Sequence, residues 1–288
     1  MKCSGLLLAA LLASMGSLSA QVTVEVTLDQ DQFLPGEALP AVVRITNRSG
    51  QTLHLGSDAA WLRFSIESKE GSVVLKKGEV PVVEAFSLES SRRAIKRVDL
   101  APYFNLAKAG RYSIVAAVTV KEWNQQITSD PKSFDIIEGS KLWEQEIGVP
   151  SPGAATNPTP EVRKYTLQEA YHLQKNLMLY LRLTDATGKI NKVFPIGPMV
   201  SFGQPDPEVD QLSNLHVLYQ NGPHSFDYTI INPDGDVLLH QGYEYTTRPR
   251  LQADGNGNFT VVGGVRRMAS DDLPPPKRAD TNAAASKP

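Results

Sequence analysis

Cysteine is almost absent from this chain. Of 288 residues one is cysteine, Cys3, and it lies in a segment that reads as a removable leader. The mature chain is therefore expected to hold no thiol, no disulfide and no cysteine-ligated metal. Such a protein must be held together by its apolar cores, and the length allows two of them. Long apolar runs are scarce as well. The stretch Leu6 to Leu12 is far shorter than the roughly 20 residues of a bilayer-crossing helix, and no later stretch is longer, so no membrane span is expected. Neither sign of charge dominates: 29 Lys and Arg face 31 Asp and Glu, for a net charge of −2 and a pI near 6.2. That balance gives no global attraction for nucleic acid or anionic membrane. The one basic run, Arg92-Arg93 to Lys96-Arg97, reads as a solvated loop or edge strand.

The usual signatures of catalysis are missing too. His54, His172, His216, His224 and His240 show neither His-Glu-x-x-His nor His-x-His spacing. There is no Gly-x-Ser-x-Gly nucleophile elbow and no phosphate-cradling glycine loop ahead of a helix. The chain is expected not to be an enzyme, with no cofactor and no bound metal.

What is present begins with an address. Lys2 supplies a positive start, Leu6 to Leu12 an apolar stretch, and Leu18-Ser19-Ala20 a small-residue site before Gln21. This is the anatomy of a secretory signal peptide over residues 1–20, and the mature chain is expected to be secreted or periplasmic. No cysteine follows the apolar stretch, so no lipid anchor is expected.

Residues 21–139 read as one all-β domain. Val22, Val24, Val26 and Leu28 alternate with polar residues, as do the positions of Trp61 to Glu67, and Ala41 to Asn47 reads as a further strand. That period of two marks half-buried strands. Turn signals such as Phe33-Leu34-Pro35-Gly36-Glu37 and Lys69-Glu70-Gly71 punctuate them. Short strands at this spacing indicate a β-sandwich. The stretch Lys108-Ala109-Gly110-Arg111-Tyr112-Ser113-Ile114 resembles the entrance to a late strand in Ig-like and fibronectin-like sandwiches. The resemblance implies that Tyr112 is a tyrosine-corner residue bonded to an upstream backbone group. Val42 to Leu55 likewise resembles the front hairpin of exported Ig-like modules.

Residues 140–161 are expected to be a linker, with Pro150, Pro152, Pro158 and Pro160 among small residues, and with Leu142, Trp143 and Ile147 capping the first domain. A second β domain is expected over residues 162–268 and a disordered tail over 269–288. Residues 165–183 fit both a hairpin and a helix, and the hairpin is favoured because Leu177 to Leu183 runs directly into a turn. A repeated phrase dominates the second domain. Leu183 to Ile190 reads like Ile230 to Val237, and Asp210-x-x-x-Asn214 reads like Asp254-x-x-x-Asn258. The copies lie 47 residues apart (Gly188 to Gly235) and 44 apart (Asn214 to Asn258), a period in the range of propeller blades. The fold expected is an Ig-like β-sandwich followed by a second β domain of two blade-like repeats. Two repeats cannot close a propeller, which leaves a compact stack or a ring completed by several chains.

Candidate sites are few. Tyr243 and Tyr245 share a strand face, as do Phe226 and Tyr228, and either pair forms a binding platform if exposed or a core face if buried. Asp254-Gly255-Asn256-Gly257-Asn258 and Asn232 to Asp236 look like the start of calcium loops but lack the closing carboxylate, which would fall at Val265 for the first. Turn chemistry explains both without a metal. Asn47-Arg48-Ser49 and Asn258-Phe259-Thr260 match the glycosylation sequon. The function expected is a non-enzymatic interaction or structural module with a protein or glycan partner. The alternatives are an accessory subunit of a hydrolase, with paired carboxylates in a cleft, or a protease inhibitor acting through Lys76-Lys77-Gly78-Glu79.

Overall fold

A computed structural model describes residues 22–82, 84–149, 161–172, 176–268 and 272. Residues 1–21, most of the proline-rich stretch and the residues from 269 on, Asp272 apart, lie outside the described residues. The fold is all-β. Among the described residues there are twenty-one strands and two single turns of 3₁₀ helix, at Ala101–Tyr103 and Lys121–Trp123. No helix among them is long and apolar enough to cross a membrane. The chain divides into two compact units, one comprising the residues up to Phe33 with Ala38–Ile136 and the other Leu34–Glu37 with the residues from Ile137 on.

The first unit contains β1 (Val22–Leu28), β2 (Gln32–Phe33), β3 (Pro40–Asn47), β4 (Leu53–Leu55), β5 (Leu62–Ser68), β6 (Phe86–Leu88), β7 (Arg93–Asp99), β8 (Gly110–Val120), β9 (Gln125–Thr128) and β10 (Lys132–Ile136). One sheet runs β1-β3-β7 and a second β2-β10-β8-β5, with β9 also on β8. Alternation fixes which side faces in. Val24, Val26, Val43 and Ile45 of the first sheet share one apolar cluster with Phe64, Ile114, Ala116, Val118 and Phe134 of the second. The basic run forms β7, an edge strand of the first sheet, where charge blunts unwanted pairing. The Tyr112 hydroxyl donates to the Lys108 carbonyl at 2.8 Å, the upstream bond expected of it.

The expected front hairpin does not form: β3 pairs with β1 and β7, whereas β4 pairs with β6. The cause is Asn47 at the end of β3. Fully buried, it donates its amide hydrogens to the Gln51 and Leu88 carbonyls at 2.7 and 2.9 Å and accepts from the Ser49 amide and hydroxyl. Those bonds redirect the chain. They also take up both hydrogens of the nitrogen that a glycan would need, so the first sequon is a structural element in the folded protein.

The second unit contains β11 (Ser140–Val149), β12 (Glu161–His172), β13 (Asn176–Asp185), β14 (Ile190–Pro198), β15 (Asp206–Val209), β16 (Leu215–Gly222), β17 (Ser225–Ile231), β18 (Val237–Glu244), β19 (Arg250–Ala253), β20 (Phe259–Val262) and β21 (Val265–Arg267). Residues 140–149, expected in the linker, are thus a strand, and Leu142, Trp143 and Ile147 pack into the second unit's core. Residues 165–183 are the antiparallel pair β12–β13; of Gln174-Lys175-Asn176, the turn expected between them, the first two residues lie outside the described residues. One sheet runs β11-β12-β13-β14, another β15-β16-β17-β18-β21, and β19-β20 is a hairpin.

Four hairpins of this unit close on the same turn. In each, one side-chain oxygen accepts the backbone amides two and four residues ahead. Asp185 takes Thr187 and Lys189, Asp210 takes Leu212 and Asn214, Asn232 takes Asp234 and Asp236, and Asp254 takes Asn256 and Asn258, all at 2.7–3.1 Å. The fourth residue of each turn donates its amide to the first carbonyl and sits at positive φ: Gly188 at 82°, Ser213 at 63°, Gly235 at 79° and Gly257 at 73°. This is a type I turn followed by a left-handed bulge residue. The turns start 25, 22 and 22 residues apart (185, 210, 232, 254), so the repeating element is one hairpin, about half the period that the phrases suggest.

The sheets stack face to face. Leu167, Leu179, Leu181 and Leu183 of the first share a core with Leu215, Val217, Tyr219 and Ile231 of the second. The opposite face of the second sheet, with Leu218, Phe226, Tyr228 and Leu239, packs on Leu251 and Val261 of the β19–β20 hairpin. The stack is capped at both ends. The hairpin's outer face carries exposed Arg250, Gln252 and Thr260. The first sheet's outer face, with Ala170, Tyr180 and Val193, is covered by Leu34 and Ile137. Leu34–Glu37 is thus a strap: Gly36 has φ +86°, and a Cβ there would meet Ile190 Cδ1 at 2.8 Å. Polar or covered ends are what an open stack needs.

Replacing Leu34 by Ala should cost the second unit about 2–5 kcal/mol, the range for a large aliphatic side chain removed from a core. Urea unfolding followed at that unit's tyrosines checks this, and a loss under 1 kcal/mol would contradict the strap's role.

Candidate functional site

A cleft of about 420 Å³ opens in the second unit, lined by Ile196–Pro198, Asn221, Ser225–Asp227, His240, Gly242, Tyr243, Arg267 and Asp272. Strand register builds its floor. Tyr219 lies opposite Asp227, Asp227 opposite Gly242, and Gly242 opposite Arg267, so one cross-strand row runs from core to solvent. Cross-strand partners share a face, here the face that Val217 and Ile231 bury. Tyr219 is fully buried and Asp227 is 9% exposed, whereas the Arg267 side chain is 66% exposed. His240 belongs to the same face one row along, opposite Thr229.

Asp227 is held firmly. Its Oδ2 accepts from Asn221 Nδ2 at 2.7 Å and lies 3.4 Å from the Tyr219 hydroxyl and 3.9 Å from His240 Nε2. The Tyr219 hydroxyl is also 3.4 Å from the Ile196 carbonyl, and its approach to β14 leaves no room for a Cβ on Gly197. Gly242 opens the floor. A Cβ there would lie 3.8 Å from Asp227 Oδ1, 3.9 Å from the Arg267 carbonyl and 4.0 Å from Arg267 Cβ, which is ordinary van der Waals contact.

Two other polar clusters are buried in the same unit. His216 Nδ1 lies 2.6 Å from the Tyr228 hydroxyl and Nε2 lies 3.2 Å from Asp210 Oδ2. The consistent tautomer puts the proton on Nε2, donating to Asp210, with Nδ1 accepting from Tyr228. Burial works to raise the Asp210 pKa, but hydrogen bonds from Asn214 and His216 outweigh it, and the carboxyl titrates below its usual value. Burial raises Tyr228, with Tyr243 and Asp210 adding to the effect. In the other cluster His172 bonds the Tyr180 hydroxyl and stacks on its ring. Burial lowers His172 and raises Tyr180, the latter helped by Glu37.

The expected platform is divided. Phe226 and Tyr228 are core residues. Tyr243 is half-buried against the same cluster and donates its hydroxyl to Gln241. Tyr245 lies just beyond β18, 47% exposed and stacked on Phe226. The two tyrosines therefore do not form one exposed row, because the strand ends between them. In the two calcium-like turns the Oδ1 of Asn232 and of Asp254 accepts the turn's own backbone amides, Asp254 Oδ2 accepts from the Asn258 side chain, and Asp234 and Asp236 bond Arg163 and Lys192. Lys76 is bonded to Glu79 at 2.7 Å, and the Lys77 amide donates to the Tyr103 carbonyl, so that segment is pinned along one side. Asp227, His240, Gly242 and Arg267 escaped sequence reasoning, since no spacing along the chain marks a row that exists only through register.

No protein-family model matches this chain and no curated protein matches it. Among solved structures it is similar to that of Spo0M, a sporulation control protein from Bacillus subtilis, at 9% identity, with a TM-score of 0.31 and coverage of 59% of this chain and 82% of that one. That likeness carries no argument about function.

Two groups set an acid limit on stability. His172 has a folded pKa below its unfolded value, so its contribution is complete above about pH 6.5 and is lost as pH falls through the folded value. Asp210, also depressed, contributes above about pH 4 and loses that contribution on further acidification. Melting temperatures between pH 7 and 5 should fall less steeply for His172→Gln than for the parent chain; equal slopes would contradict the assignment.

Proposed function

We propose that this chain is an exported, non-enzymatic binding module, secreted or periplasmic. In this reading the first unit is an Ig-like sandwich that serves as a scaffold. The second is a short stack of blade-like sheets that presents the inter-strand cleft to a small polar ligand or to an exposed group of a protein or glycan. One observation carries it: the cleft is concave and its floor gathers polar groups held in place by the sheet, with Asn221 donating to Asp227 at 2.7 Å and His240 beside them. A concave site with a few convergent polar groups suits recognition. The cleft volume of about 420 Å³ falls in the range of ligand sites, about 300–1,000 Å³. Tyr245 stacked on Phe226 offers a second, more exposed contact on the neighbouring face.

A fragment screen by amide chemical shift on the isotope-labelled mature chain tests this. The expected result is that perturbed amides cluster at residues 197–198, 221–227, 240–243 and 267. Hits scattered over the surface, or clustered only beside β7, would remove the binding reading. Turnover of chromogenic glycoside or ester substrates, abolished by Asp227→Asn, would remove the non-enzymatic part.

A further inference from the structure

The first unit carries a sheet edge of its own. β7 is the last strand of the three-stranded β1-β3-β7 sheet, so only one of its sides is paired. Two bonds at the ends of the strand fix which side each residue faces. The Asn47 amide donates to the Arg92 carbonyl, and the Leu100 amide donates to the Leu39 carbonyl. An antiparallel ladder bonds every second residue, so Ala94, Lys96 and Val98 bond to β3. The amides and carbonyls of Arg93, Ile95 and Arg97 point away from the sheet, and no hydrogen bond takes them up among the described residues. Asp99 closes the run, because its Oδ1 accepts the Leu39 and Ala101 amides at 2.8 and 3.1 Å.

The same three residues carry the edge's charge. Arg93, Ile95 and Arg97 share the exposed face of β7, with Arg44 of β3 opposite Ile95. Arg44, Lys96 and Arg92 have carboxylate partners in Glu25, Glu84 and Glu89. Arg93 and Arg97 have no ion pair among the described residues. An open ladder flanked by two unpaired guanidinium groups on one face matches a strand with two carboxylates at the facing positions.

We propose that the β7 edge takes an extended acidic segment of a partner protein as an added antiparallel strand, with carboxylates opposite Arg93 and Arg97 and an apolar side chain opposite Ile95. In such an addition the main-chain bonds supply affinity and the alternate side chains supply specificity. A second copy of this chain is the wrong partner. Pairing two copies over these three positions sets Arg93 against Arg97 twice, and like charges directly opposite destabilise a ladder. The charge that blunts unwanted pairing thereby selects the wanted one. This edge lies in the first unit and stands or falls without the cleft. Single fragments do not report on it, since they cannot span three ladder positions.

The probe is the capped heptapeptide Thr-Glu-Thr-Val-Thr-Glu-Thr, whose glutamates and valine share one face of a strand. The contrasts are the same peptide with glutamine for glutamate, the same peptide N-methylated at its glutamate and valine amides, and a heparin hexasaccharide. Binding to the isotope-labelled mature chain is read by amide shifts and by hydrogen exchange at Arg93, Ile95 and Arg97, which is fast while the edge is free.

The acidic peptide should slow exchange at all three amides, and added salt should weaken its binding. Replacing Arg93→Gln and Arg97→Gln together should weaken it about fivefold, with the melting temperature near that of the parent. The glutamine peptide should lose a similar factor in the unaltered chain, and the N-methylated peptide should not bind. No protection by the acidic peptide, or equal protection by the glutamine peptide, would overturn the proposal. So would equal binding of the N-methylated peptide, or a hexasaccharide that outcompetes the acidic one, either of which makes β7 a polyanion face. Slow exchange at these amides in a dimer of the free chain would give the edge to a second copy and overturn it as well.

Discussion

The second unit depends on a small closed ring of hydrogen bonds: an Asp or Asn oxygen that accepts two backbone amides ahead of it and so folds five residues into a hairpin turn. Four such rings, begun by Asp185, Asp210, Asn232 and Asp254, reverse the chain at nearly equal intervals. The strands on either side of these turns pair into sheets that bury apolar residues on both faces. The first sheet also grips the third ring. Arg163 reaches the Pro233 carbonyl and Asp234 at 2.8 and 2.6 Å, and Lys192 reaches the Gly235 carbonyl and Asp236 at 2.8 and 2.9 Å. The turns are therefore connectors within one sheet and docking points between sheets.

The cleft follows from the same packing. Where the Tyr219–Asp227–Gly242–Arg267 row leaves the core, apolar side chains give way first to a buried carboxylate and then to glycine. Both faces of β16 and β17 are buried along most of their length, so the cleft opens at the ends of the strands.

Much of the fold was legible in the sequence because strands and turns are local. Alternation located β1 and β5, and Gly110-Arg111-Tyr112 announced the bond from Tyr112 to Lys108. The repeated phrases were visible, but their period was read at twice the true value. The phrases were matched first with third and second with fourth, and Ser213, at the left-handed position where the other three turns have glycine, masks the likeness between neighbouring turns. The strap was not legible: Phe33 to Glu37 looks like an ordinary local turn, and its apolar partners Ala170, Tyr180 and Ile190 lie far along the chain. Leu142, Trp143 and Ile147 were apolar signals read correctly and assigned to the wrong unit. The cleft could not be read at all, since Asp227, Gly242 and Arg267 become neighbours only when three strands are set in register.

The most direct measurement of this account is amide hydrogen exchange at the eight turn positions Thr187, Lys189, Leu212, Asn214, Asp234, Asp236, Asn256 and Asn258. All lie between strands or at their ends, where open loops exchange fast. The account predicts protection at each of them, lost at Leu212 and Asn214 alone in Asp210→Ala. Exchange at free-peptide rates in the parent chain would contradict it.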